Sequence, residues 1–183
     1  MARILSSVEA TGAERRRARP GDELVSPADI VMDRAFDVAV PPEAVWPWLE
    51  QLGKRRAGWY LPRSLERAIP RSRRALRRIE PSFLGLAVGD VIPDYGGRDE
   101  TFEVVAIEPP HYLVYRSQRG RVFVSWSIEL GEVRPGQTRV ALRLRLGPVR
   151  HKWLARSAGE LFDRVTIAGM AAGLRERIVA SRD

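Results

Sequence analysis

From Pro81 to Gly147 the apolar residues recur at every second position. The segments VGDVIPDY (88–95), TFEVVAIE (101–108), HYLVYRSQ (111–118), RVFVSWSIEL (121–130) and TRVALRLRLG (138–147) read as successive strands punctuated by Gly or Pro. Val122, Val124, Trp126, Ile128 and Leu130 share one face of their strand, with Ser125, Ser127 and Glu129 on the other. Val140, Leu142, Leu144 and Leu146 likewise oppose Arg139, Arg143 and Arg145. The connections are short, so the strands form an antiparallel meander with one dry face and one wet face. A sheet of that kind must find a cover for its dry face.

The flanking segments supply the candidates. Phe36, Val38 and Val40 alternate with Asp37 and Ala39 as a first strand, which Pro41 and Pro42 end. Proline is tolerated in a first helical turn, and EAVWPWLEQL then places Val45, Trp48, Leu49 and Leu52 on one stripe. In AGWYLPRSLERAIPRSRRALRRI (57–79), Arg63, Arg67, Arg71, Arg74 and Arg78 recur at helical spacing, opposite Leu65, Ile69, Leu76 and Ile79. This predicts an amphipathic helical segment, arginine outside and aliphatics inside, split at Pro70. The last 33 residues, beginning at His151, read as one long helix with two adjoining apolar stripes, one of them containing Phe162. Strands and helices are segregated, so the class is α+β: a curved antiparallel sheet of six or seven strands wrapped on a long C-terminal helix, with two short helices after strand 1. One helix about 10 Å wide does not seal six strands spaced about 4.8 Å apart, which predicts a cavity between them. Residues 1–29 read as a lead-in and 30–183 as a single domain.

Composition narrows the chemistry. There is no cysteine, and His111 and His151 are the only histidines, so neither a thiolate site nor a multi-histidine metal centre is expected, and no metal or cofactor is assigned. The N-terminus lacks the apolar run of a secretory signal and no stretch is long enough to span a bilayer, so a cytoplasmic location is expected. Net charge is +8, and residues 54–78 hold Lys54 and nine arginines against Glu66 alone. Basicity is therefore local.

Several motifs carry a resemblance: RPGDELVSP (19–27), VAVPPEAVWPWLEQLG (38–53), AGWY (57–60), LAVGDVIPD (86–94), FEVVAIEPPHYLV (102–114) and FVSWSIEL (123–130). With them the chain resembles small bacterial members of the START-like helix-grip superfamily (SRPBCC), which includes polyketide cyclases/dehydrases and lipid-transfer domains. The likeness implies a helix-grip fold and a small hydrophobic molecule or lipid as partner. The arginine-rich stretch after GWY departs from the family pattern, so no family ligand carries over through it.

The residues expected to line the cavity are Trp59, Tyr60, Tyr95, Glu103, Tyr115, Trp126 and Phe162, large amphipathic rings with one carboxylate. Asp90 and Asp94, each in a Gly-containing turn, read as caps of their own backbone. No nucleophile–base–orienter set or glycine-rich phosphate loop is visible, and the catalytic residues are unassigned. The expected function is binding, with possible transport, of a small hydrophobic or amphipathic ligand. The alternative is a cyclase or dehydratase in the same cavity, which needs Glu103, Tyr115 or His151 to project inward. The arginine row reads first as a solvated face, then as a transient contact with an anionic membrane, and last as a nucleic-acid grip, since it interleaves no aromatics.

Overall fold

The computed structural model describes residues 8–150 and 152–181. Strand β1 (Ile30–Val38) is followed by helix α2 (Pro42–Glu50), α1 (Gly12–Arg16) having preceded it in the lead-in. A single turn α3 (Arg63–Glu66) and two 3-10 turns lead to β2 (Val91–Pro93), β3 (Thr101–Glu108), β4 (Tyr112–Arg119), β5 (Val122–Arg134) and β6 (Gln137–Gly147). A turn at Lys152–Leu154 and a π-helical turn at Ala155–Gly159 run into the long helix α4, Glu160–Ala180. The six strands form one antiparallel sheet in the order β1-β6-β5-β4-β3-β2. This is the helix-grip arrangement: a meander whose first strand closes beside its last, gripped around α4.

Register fixes the inner face. Met32 pairs Leu144, Trp126 pairs Leu144 and Tyr115, and Phe36 pairs Val140. Alternation then puts Ile30, Met32, Arg34 and Phe36 of β1 on the same side as Leu142, Leu144 and Leu146 of β6. Against this face α4 buries Ile167, Met170, Ala171, Leu174 and Ile178, while α2 adds Val45, Trp48 and Leu49.

The segment 57–79 differs from the expected split helix. Only α3 and a 3-10 turn at Arg71–Arg73 are helical, and α3 turns Leu65 out (54% exposed) and Glu66 in (4%). Like charges at i,i+4 disfavour a longer helix and Pro70 lacks the amide to continue one. Tertiary contacts decide the rest. The backbone of Leu61 lies on α4 at Gly173, where an added Cβ would come within 2.6 Å of Leu61 N and C, and the Leu61 side chain crosses Gly169. Arg177 then ties the segment down from within.

The outer face is not simply wet. Val8 accepts a hydrogen bond from the Ala35 amide (3.1 Å), and the lead-in crosses the outer side of the sheet, so that a Cβ on Gly21 (φ 85°) would sit 2.5 Å from Val114 Cγ1. Beneath it Arg143 is buried, with Nε on Asp33 (2.7 Å) and Nη1 on Asp22 (2.8 Å) and on the carbonyl of Arg17. Arg139 grips Glu14 at 2.8 and 3.0 Å, and this hydrogen bond holds the Glu14 carboxyl at about 2, well below its ordinary 4.5.

Two outcomes follow. Gly173→Ala lowers unfolding free energy by about 2 kcal/mol in urea, because the methyl meets backbone that cannot move aside; at an open helical site the same change would stabilise by about 1 kcal/mol. Glu14 has a depressed folded pKa, so its contribution is complete above about 4.5 and is lost as pH falls toward 2. Glu14→Gln therefore destabilises by about 1 kcal/mol at neutral pH and flattens the acid limb of the stability curve.

Candidate functional site

The inner face divides into a filled half and an open half. Toward the C-terminal end of α4, Phe36, Leu113, Ile128, Met170 and Leu174 are at most 1% exposed and leave no room for a guest. Toward its N-terminal end, Val122, Trp126, Leu144 and Leu146 stay half-buried on the sheet, and Trp59 is half-buried opposite them. The deep half is thus covered by α2 and the segment after it, while the side chains at the other end are less completely buried.

Aromatic rings cluster beside this open half, some half-buried and some in the core. Trp126 stacks on Tyr115 (centroids 5.7 Å, 21° between planes) and on Trp59 (6.2 Å, 29°), and Phe102 packs against Tyr115 and Trp126. Tyr95, 54% exposed, meets Trp59 edge-on at 6.3 Å. Trp59 is tied to α4 through Nε1, which donates to the Thr166 carbonyl at 3.4 Å. The rim is polar. Arg119 lies over the Phe102 ring at 5.4 Å and pairs with Asp94, whose carbonyl accepts from Lys54 Nζ at 2.9 Å. Ser117, on the inner face of β4, is 9% exposed with its Oγ buried and unpaired by protein. On the β1 side, buried Arg34 meets Asp163 at 2.9 Å and donates to the Glu160 carbonyl at 3.1 Å, closing the first turn of α4 over Met32. Burial raises the Asp163 carboxyl above its ordinary value, against the pull of Arg34.

Of the expected cavity residues, Trp59, Tyr115 and Trp126 come together, with Tyr95 beside them. Tyr60 is fully buried instead: its hydroxyl donates to the Trp48 carbonyl (2.8 Å) and accepts from Gln51 (2.9 Å), so it joins α2 to the segment after it. Glu103 faces outward, paired through both oxygens with Arg116 at 2.8 and 3.0 Å, because it alternates with inward Phe102 and Val104. It borders a concavity of about 550 Å³ on the outer face, with Leu24, Val91 and Phe123. Phe162 is 74% exposed on the flank of α4. Asp90 accepts from the Ala87 amide and Asp94 from the Tyr95 amide, the capping roles expected of turn aspartates. His111 lies in the turn between β3 and β4, and His151 lies outside the described residues. Sequence reasoning missed Phe102, Arg119 and Arg34. Phe102 was legible as the inward partner of Val104; an arginine at an alternating inward position, Arg34, signals a buried ion pair.

Among the described residues no cluster of His, Cys, Asp or Glu suits a metal ion, and no helix is long and apolar enough to cross a membrane. Neither a family model nor a curated protein matches the sequence. Solved structures do. A protein from Arthrobacter aurescens aligns at TM-score 0.53 with 11% identity, over 96% of this chain and 92% of that one. A protein from Rhodobacter sphaeroides aligns at 0.51 with 18% identity, over 85% and 96%. A START superfamily protein from Mycobacterium smegmatis aligns at 0.48 with 13% identity, over 82% and 98%. The first two likenesses show the fold and nothing further. In fold, this is an α+β helix-grip protein, as its element order and sheet topology define it.

The tyrosines give a direct readout of the packing. Burial pushes the phenols of Tyr60 and Tyr115 far above their ordinary 10, and Tyr95 and Tyr112 are raised as well, the latter by its Glu108 contact. Raised folded values mean stability that is full below pH 10 and lost above it. Absorbance titration at 295 nm will show little phenolate at pH 10, and Tyr60 and Tyr115 will ionise only with alkaline unfolding. More than two of the four tyrosines titrating normally in folded protein would contradict the packing described.

Proposed function

We propose that the chain binds a small hydrophobic or amphipathic molecule in the groove between the sheet and the first half of α4. The observation that carries this is the stacked, half-buried pair Trp59 and Trp126, backed by the buried Tyr115 ring, in an otherwise close-packed interior. Half-covered rings leave apolar area that a guest removes from water. The groove also has polar handles at its rim, Tyr95 and the Arg119–Asp94 pair, suited to orienting one polar end of a ligand. A guest that buries about 300 Å² of apolar surface at about 25 cal/mol/Å² gains roughly 7 kcal/mol before association costs, a micromolar ceiling that the rim contacts must raise.

A cyclase or dehydratase reading draws less support. Glu103 points away from the groove, the Tyr115 phenol holds its proton more tightly than usual, and Asp163 is engaged by Arg34. General acid–base work needs a group of matched pKa within reach of substrate. The same groove chemistry supports binding without it.

Titration of the intrinsic tryptophan fluorescence with lauric acid and with 1-anilinonaphthalene-8-sulfonate, joined to native mass spectrometry of the purified protein, tests the reading. Saturable micromolar binding is expected, weakened about tenfold or more in Trp126→Ala, since an aromatic contact of this kind is worth about 1 kcal/mol beyond its area. Absence of saturable binding by either probe, with no co-purified molecule, would reject it.

A further inference from the structure

The segment after the groove, 61–74, carries positive charge that no carboxylate among the described residues neutralises. The guanidinium groups of Arg63, Arg67, Arg71 and Arg73 are exposed and meet no carboxylate among the described residues. The nearby acids serve other partners: Glu66 takes Arg77 and Arg177, Glu176 takes Arg77 and the Arg63 amide, and Glu80 takes Arg78. Set between these arginines, Leu65 is 54% exposed while its neighbour Glu66 is buried. A helical turn that exposes its leucine and buries its glutamate is inverted for contact with water alone.

The same flank continues along α4. Phe162, Val165, Gly169, Gly173 and Glu176 are spaced 3, 4, 4 and 3 apart and form one stripe. Leu61 covers its glycines and the Arg63 amide caps Glu176, so the arginines stand at the C-terminal end of the stripe. At its other end, about 21 Å away along the axis, Phe162 (74% exposed) and Val165 (46%) are left uncovered by the described residues. Trp59 reaches Thr166 between the two ends, so the aromatic groove opens on this flank.

We propose that this flank is a docking face for an anionic membrane surface. Guanidinium groups take headgroup phosphates, while Leu65 and Phe162 enter the boundary of the acyl region. A nucleic acid would satisfy the arginines and leave both apolar side chains in water, which favours the bilayer. The inference stands independently of whether the groove holds a cargo, because docking is read on protein with no ligand added.

The test is flotation of the full chain with vesicles of 30% phosphatidylglycerol in phosphatidylcholine, against pure phosphatidylcholine, at low and high salt. Binding to the anionic vesicles is expected, weakened by salt and lower by on the order of 10²-fold on neutral vesicles, each arginine near such a surface contributing roughly fivefold. The variant R63Q/R67Q/R71Q/R73Q loses it to a similar extent. The variant L65S/F162S weakens vesicle binding about tenfold while leaving retention of a short DNA duplex unchanged. All six side chains are exposed, so thermal unfolding is unaltered. No binding to anionic vesicles overturns the proposal. Tighter binding to the duplex than to vesicles, with L65S/F162S indifferent in both, overturns it in favour of a nucleic-acid surface.

Discussion

Everything between α2 and the meander hangs on one buried guanidinium. Arg177 is fully inaccessible to solvent, and its N–H groups reach the carbonyls of Leu61, Ala75, Leu76 and Gly173 and the Glu66 carboxylate, at 2.5 to 3.3 Å. Its plane lies over the Tyr60 ring at 4.6 Å. Burial pulls its pKa down while Glu66 opposes that pull, so the charge persists because it is fully partnered. A segment with little regular hydrogen bonding of its own borrows its order from this side chain. Lysine lacks the planar fork and could not serve five acceptors at once.

The order so imposed explains the shape of the site. With residues 61–76 pinned to the C-terminal half of α4, the chain just before them brings Trp59 over Trp126 and Tyr60 under α2. The same pinning seals the deep half of the interior and leaves the N-terminal half of the helix to cover the rest alone. There the helix is held mainly at its edge, through Arg34 to Asp163 and Glu160. The sealed deep half, the open end and the arginine segment are thus consequences of one attachment. On the far side of the sheet, the lead-in supplies acids that Arg139 and Arg143 need, which turns an outer face written in arginines into a second, polar core.

Much of the architecture was readable residue by residue. The alternation through Val122–Leu130 and Val140–Leu146 fixed which side chains face inward, and the pairings of Trp126 with Leu144 and Tyr115 agree with it. Of the residues read as lining a cavity, Trp59, Trp126 and Tyr115 lie in contact, whereas Tyr60 is a structural hydrogen-bonding residue and Glu103 an outer-face ion pair. Neighbouring residues of a non-repeating stretch such as GWYLP carry no period from which to assign a face. Arg177 was unreadable for a related reason, since at helical spacing an arginine late in a helix looks like a favourable exposed charge near the negative end of the dipole.

Local periodicity therefore determined the elements, their class and the dry side of the sheet, because a period of 2 or of 3.6 is a property of the chain itself. Tertiary structure alone decided which charges are buried, where Leu65 points, and how far α4 covers the sheet. Those outcomes depend on partners distant in sequence: on Leu61 meeting Gly173, on Glu66 meeting Arg177, and on Asp22 and Asp33 meeting Arg143. The cost of burying a charge is settled only when its partner arrives, and no local pattern announces that meeting.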